Sequence, residues 1–366
     1  MVSIMKLFSC DVCGQRVYFE NTQCTHCGSL LGFLPDQLRL ASLQSDGGTG
    51  WRTREGAPYR LCRNSRDHAI CNWMIPAQAP DAFCPACALN HTIPDLTHPE
   101  NLSRWRDLET AKRRLIYSLL RFRLSFNAEG GAFPALAFDF LADTAPTFQD
   151  SGRVLTGHKN GLITLNIAEA DPVLREKMRE DMDEPYRTLL GHFRHESGHY
   201  YWERFQQRPG FPEAFRERFG DERRDYGQAL DAYHQNGPVA NWQAHFVSAY
   251  ASCHPWEDWA ETWAHYLHMI DTLDTASHFG IRIRPRTGNR APIDPPEDFD
   301  PYAHPSFEDL IAHWLPLTHA MNSLNRSMGH EDAYPFILSP AVLEKLQEIH
   351  EQIQPTLLTE TEQNSS

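Results

Sequence analysis

Two histidines stand four residues apart in His195-Glu196-Ser197-Gly198-His199. On a helix that spacing stacks both imidazoles on one face, where they can grip a single metal ion. Glu196, between them, sits at the offset from which a carboxylate takes a proton from a zinc-activated water. The chemistry this predicts is hydrolysis of a peptide or related amide bond, with Glu196 as general base that later hands the proton to the leaving amine. A five-residue pattern also fits two solvent-facing or core-satisfied histidines, so the reading leans on what else the chain supplies.

Acidic groups follow in Glu257-Asp258-Trp259-Ala260-Glu261, beginning 58 residues after His199. Glu257 fits as third ligand, leaving an open water position. Glu261, one turn on, fits as the acceptor that fixes the tautomer of a ligating histidine. Glu261 or Asp258 could replace Glu257, and His254 and His265 lie within a turn or two of the same face. A third histidine six residues after the second is excluded, because Trp202 and Phe205 stand where Gly and His would be needed. Tyr250 is a candidate donor to the developing oxyanion, against the plainer alternative of a core or rim phenol. His192 and Cys253 read as packing residues. The charged stretch from Arg208 to Asn241 reads as a lid over the zinc, with Asp225 as a remote further ligand.

Eight of the nine cysteines precede residue 88, a clustering that fits metal binding in a reducing compartment better than a disulfide framework. Cys10-x2-Cys13 and Cys24-x2-Cys27 form paired knuckles around one tetrahedral zinc, with Gly14 and Gly28 permitting the tight turns. Cys62, Cys71, Cys84 and Cys87 read as a second four-cysteine site, His68 being the alternative partner for Cys84 and Cys87. Sites closed by four thiolates are structural. One catalytic and two structural Zn2+ ions are therefore expected.

Periodicity supplies the elements that must hold these residues. Residues 1–98 form the tandem ribbon module, with Asp46 to Gly50 as a flexible joint. Residues 99–126 form a connecting amphipathic helix on Leu108, Leu115, Ile116, Leu119 and Leu120. The next domain spans 127–353. Strands are expected over Leu136–Leu141, Arg153–Thr156 and Leu162–Ile167, the last two joined at Asn160-Gly161. An edge of that hairpin could pair with an extended peptide substrate, ordinary sheet packing being the equal alternative. Helices are expected within Pro172–Phe205, carrying both histidines, and over Pro255–Thr272, Phe307–Asn325 and Pro340–Ile353. Residues 354–366 form a disordered tail. The class is α+β: a ribbon module, then a mainly helical domain with a small antiparallel sheet.

Charge excludes some partners. The net charge of -14 repels phosphate backbones, and eight Lys or Arg balance eight Asp or Glu in the first 98 residues. No nucleic-acid partner is expected. The first ten residues do not make a signal peptide, and no apolar run is long enough for a membrane helix. A cytoplasmic protein acting on peptide or protein substrates is the expectation, with a protein partner docking on the ribbons.

Taken together, Cys10 to Cys27, Cys71-Asn-Trp73, Phe83-Cys-Pro-Ala-Cys87, His195-Glu-Ser-Gly-His-Tyr-Tyr-Trp202 and His254-Pro-Trp-Glu-Asp-Trp-Ala-Glu-Thr-Trp263 resemble a bacterial family of zinc-binding metallopeptidases with an N-terminal zinc-ribbon domain. The resemblance covers nearly the whole chain, excluding the tail. It implies that the helical domain is zincin-like and the protein a gluzincin-like peptidase, with His195, His199 and Glu257 as ligands and Glu196 as the catalytic glutamate. Glu257-x-x-Ala260-Glu261 also resembles the Glu-x-x-Ala-acid stretch of several gluzincins. The competing reading is a non-catalytic, zinc-scaffolded interaction module, which would have no use for Glu196.

Overall fold

The computed structural model describes residues 7–128, 133–143, 154, 156–175, 188–284 and 299–358, with side chains to residue 354. Contacts divide the chain into two compact units, residues 1–121 with 135–175 and residues 122–134 with 176–366. The class is α+β.

The first unit opens on β1 (Leu7–Ser9) and β2 (Arg16–Tyr18), an antiparallel pair. Between them Gly14 N–H closes a turn onto Cys10 O at 2.8 Å, and Gly28 N–H closes its twin onto Cys24 O at 2.9 Å. Both glycines have φ above +70°, a left-handed backbone that a Cβ would strain. A five-stranded antiparallel meander follows: β3 (Leu30–Leu34), β4 (Arg39–Ser45), β5 (Trp51–Thr53), β6 (Pro58–Leu61) and β7 (Met74–Pro76). Leu34, Ala41, Leu43, Tyr59 and Met74 form its apolar core. Asp46 to Gly50, expected as a flexible joint, lies inside this meander. It is the β4–β5 connection, tied by Asp46 N–H to Gly50 O and by Asp46 Oδ1 accepting from Gly48 and Gly50 N–H.

The short helix α1 (Arg63–His68) links β6 to β7, and α2 (Pro99–Arg121) buries Trp105, Leu108, Leu115, Ile116 and Leu119. α2 stops before the expected residue 126 because Arg123 turns into left-handed backbone at φ 53°. A four-stranded sheet in this unit joins β8 (Asn90–Thr92), β9 (Ala137–Leu141), β10 (Gly157–Lys159) and β11 (Leu162–Asn166) in the order β10-β11-β9-β8. It is mixed rather than antiparallel: β9 pairs parallel with both β8 and β11, and α2 lies in the long connection that a parallel pair requires. The Asn160-Gly161 hairpin forms as expected, with both residues at positive φ. Its first strand is Gly157–Lys159 rather than Arg153–Thr156, of which Arg153 and Leu155 lie outside the described residues. β11 is interior, so the hairpin's open edge belongs to β10.

The second unit is helical: α3 (Leu189–Phe205), α4 (Phe211–Arg218), α5 (Tyr226–Asn236), α6 (Pro255–His278), α7 (Phe307–Ser327) and α8 (Pro340–Leu358). Thr188 Oγ1 caps α3 by accepting from Gly191 N–H, and Pro255 opens α6 under a cap from His254 Nδ1. α6 outruns its expected end at Thr272, because Leu273 and Ala276 keep burying apolar surface until Gly280 turns the chain at φ 63°. α8 likewise continues past Ile353 to Leu358, and residues 359–366 lie outside the description. Among the described residues no helix is long and apolar enough to cross a membrane.

Candidate metal centres

α3 and α6 carry the residues with chemistry to offer, and the two central residues of the histidine motif bring these helices together. Ser197 and Gly198 are buried. Ser197 Oγ accepts from Trp263 Nε1 at 3.1 Å, and Gly198 O accepts from Trp259 Nε1 at 2.9 Å. A Cβ on Gly198 would come within 2.9 Å of Ala260 Cα and 3.1 Å of Trp263 Cβ. The missing side chain is what lets the first turns of α6 approach His195 and His199.

Their donor atoms converge. His195 Nε2 lies 3.2 Å from His199 Nε2 and 3.0 Å from Glu257 Oε2, and His199 Nε2 lies 3.5 Å from the same oxygen. Tetrahedral zinc with bonds near 2.0–2.1 Å separates its ligand atoms by about 3.3 Å, so the triangle has the dimensions of three such ligands. Burial alone would raise the Glu257 carboxyl, yet the two imidazoles hold it well below the usual carboxylate range. Burial opposes protonation of His195, and Glu257 and Glu261 overcome it.

Glu196 is 8% exposed and its Oε2 is buried without a hydrogen-bond partner. Burial pushes its carboxyl up, against the pull of the neighbouring histidines. The environment thus favours a proton on Glu196 more than water would.

Behind the triangle, His195 Nδ1 lies 2.6 Å from Glu261 Oε1, and Glu261 Oε2 accepts from Ser248 Oγ at 2.6 Å. Against its burial, the Glu261 carboxyl is held down to about 2 by His195. On the other flank, Tyr226 donates to Glu257 Oε1 at 2.7 Å. Sequence reading missed Tyr226. It opens α5 just after the helix-capping Asp225, a start signal that says nothing about Glu257.

The remaining candidates separate. Asp258 is buried but faces Lys345 of α8, its Oδ2 accepting at 2.6 Å, and burial pushes its carboxyl to about 7. His254 caps α6 and reaches Arg224 O through Nε2. His265 meets the Tyr334 hydroxyl at 2.9 Å. Asp225 caps α5 by accepting from Gln228 N–H. Tyr250 is half-buried with its ring 6.1 Å from that of His195, and Cys253 is buried, its thiol pushed up by desolvation. Trp256 lies against His199 with ring centroids 3.9 Å apart. The charged stretch from Arg208 to Asn241 holds α4 and α5.

In the first unit the eight cysteines form two clusters, Cys10, Cys13, Cys24, Cys27 and Cys62, Cys71, Cys84, Cys87. Sulfur pairs Cys10–Cys27, Cys13–Cys24 and Cys71–Cys84 each stand 3.7 Å apart. A disulfide would need about 2.05 Å, whereas tetrahedral zinc with bonds near 2.3 Å spaces its sulfurs by about 3.8 Å. His68 packs on Trp105 rather than joining the second cluster. That cluster is fully buried, and Cys84 N–H points at Cys62 Sγ. Arg113 of α2 donates to Ile70 O at 2.7 Å. Despite its burial, its guanidinium is kept charged by Cys71, Glu109 and Cys87.

Residues 101–352 match the family described as "Putative zinc-binding metallo-peptidase", and residues 7–98 match a zinc-ribbon domain. The chain belongs to this metallopeptidase family. Uncharacterized proteins of Mycobacterium tuberculosis (strain H37Rv) and Mycobacterium bovis are each 43% identical to the chain over 348 residues, which is 94% of both sequences. No solved structure matches. Membership makes the chain a zinc-binding metallopeptidase of ribbon-plus-peptidase organisation whose class of substrate is peptide or protein.

Proposed function

We propose that this metallopeptidase hydrolyses peptide or related amide bonds at one zinc ion held by His195, His199 and Glu257, in a gluzincin-like HExxH domain spanning residues 127–353. The observation that carries the reading is the triangle of donor atoms with edges of 3.0, 3.2 and 3.5 Å beside the buried Glu196 carboxylate. Zinc bound there would polarise a scissile carbonyl and make a water molecule acidic near neutral pH.

The chain's own groups do the rest. Glu261 accepts from His195 Nδ1 and so leaves the Nε2 lone pair for the metal. Glu196, its proton affinity raised by burial and its Oε2 uncommitted, takes the proton of the attacking water and delivers it to the departing amine. Tyr250, beside His195, is the phenol proposed to donate to the oxyanion as it develops. The two cysteine clusters are proposed to hold structural zinc and to present the ribbons to a protein substrate or partner. We place the protein in the cytoplasm, in keeping with thiolate-bound metal. A non-catalytic scaffold would leave Glu196 without a role.

Elemental analysis tests this with wild type, His195→Ala, Glu257→Ala and Glu196→Gln purified without added metal. About three zinc ions per chain, falling by one in the first two variants and unchanged in Glu196→Gln, is the expected result. Full zinc content in all of them would refute the site.

A further inference from the structure

We infer that Tyr226 is a positioning residue of the helical site, its hydroxyl holding Glu257 to ligation through a single oxygen. The inference rests on the zinc reading of His195, His199 and Glu257 and adds a residue to it. Glu257 is 1% exposed, so its two oxygens have few partners to choose between. Oε2 points at the two imidazoles, 3.0 and 3.5 Å from their Nε2 atoms, while Oε1 accepts from Tyr226 at 2.7 Å. A carboxylate engaged in this way offers one oxygen to a metal. That matters because a hydrolytic zinc site needs three protein donors and an open fourth position. A second oxygen from Glu257 would fill the place that water must occupy.

The phenol is held where it acts. Its ring stands edge-on to Trp256 at 5.6 Å and to His254 at 5.3 Å. Asp225 caps the helix that Tyr226 opens, and Tyr233, two turns along the same face, packs on Tyr250 at 5.8 Å. α5 buries none of its residues, so its place depends on these contacts rather than on a core. Tyr226 itself is 39% exposed. Removing only its hydroxyl should therefore alter the ligand and leave the fold intact.

The test uses the full chain as wild type, Tyr226→Phe, Tyr233→Phe and His195→Ala, with circular dichroism to verify equal helicity. Chelator competition measures the affinity of the most labile zinc. Cobalt(II) exchanged into that site gives visible bands that lose intensity when a four-coordinate ion gains a fifth ligand. Tyr226→Phe is expected to weaken zinc binding by about 10- to 100-fold and to dim the cobalt bands, while Tyr233→Phe leaves both at wild-type values. An affinity within about twofold of wild type and an unchanged spectrum, with His195→Ala still losing one ion, would overturn the Tyr226 assignment alone. If His195→Ala keeps every ion, the zinc reading falls and takes this inference with it.

Discussion

Each cysteine cluster offers a metal four donors and the histidine–glutamate cluster three, and their surroundings differ as well. Around Cys62, Cys71, Cys84 and Cys87 every donor is a buried thiol, and the nearby groups answer the charge of the cluster itself: Arg113 stays cationic, and Cys84 N–H points at a sulfur. Such a site has no vacancy and nothing poised to react. Around His195, His199 and Glu257 there are three donors, and the polar groups behind them, Glu261, Ser248 and Tyr226, orient those donors. Beside them stands a buried carboxyl oxygen with no partner. The difference separates a metal that holds a fold from one that would act on a substrate: the first spends its neighbours on neutralisation, the second on orientation and on one unsatisfied base.

Substitutions can break this contrast, the largest effect first. Cys71→Ser should remove most of the roughly 10–16 kcal/mol by which a structural zinc stabilises its fold. Limited proteolysis should then degrade the region around residues 58–98, and zinc content should fall by one. A ribbon that stays protease-resistant would mean the meander core suffices without metal. Glu196→Gln should cost about 10²–10⁴-fold in peptide hydrolysis with zinc content and melting temperature unchanged. Equal activity in a peptide-library assay would remove Glu196 from the chemistry.

Smaller changes sharpen the contrast. Gly198→Ala forces a methyl against Ala260 and Trp263 and should destabilise the helical unit by about 1–3 kcal/mol, read as a lower urea midpoint. An unchanged midpoint would show that α3 and α6 can separate at no cost. Ser248→Ala removes one hydrogen bond to Glu261. It should weaken the labile zinc by about 1 kcal/mol, roughly fivefold, in chelator competition, while the cysteine-bound zinc stays unaffected.

Much of this was legible in residue types and spacing. Cys-x2-Cys pairs followed by glycine can fold only as tight knuckles, and histidines at i and i+4 on a helical period must share a face. Both are local constraints within one or two turns of chain, as is the Asn160-Gly161 hairpin. The elements were legible for the same reason, although their ends were not: α6 runs to His278 because packing, not propensity, sets where it stops, and α8 runs to Leu358. The parallel pairing of β9 with β8 and β11 was hidden because it joins segments far apart in sequence.

The sequence by itself determined the donor types, the Cys10 to Cys27 framework and the pairing of His195 with His199, since each follows from spacing along a single segment, whereas the fold decided that Cys62 and Cys71 rather than His68 join Cys84 and Cys87. Only the tertiary structure decided which acid completes the triangle. Glu257 and Asp258 are adjacent and equally acidic, yet their side chains leave α6 in different directions, one toward the imidazoles and the other toward Lys345. Tertiary structure also brought Tyr226 onto Glu257 and fitted α3 to α6 through Gly198. Contacts of that kind depend on how side chains from distant segments pack in three dimensions, and no spacing along the chain encodes them.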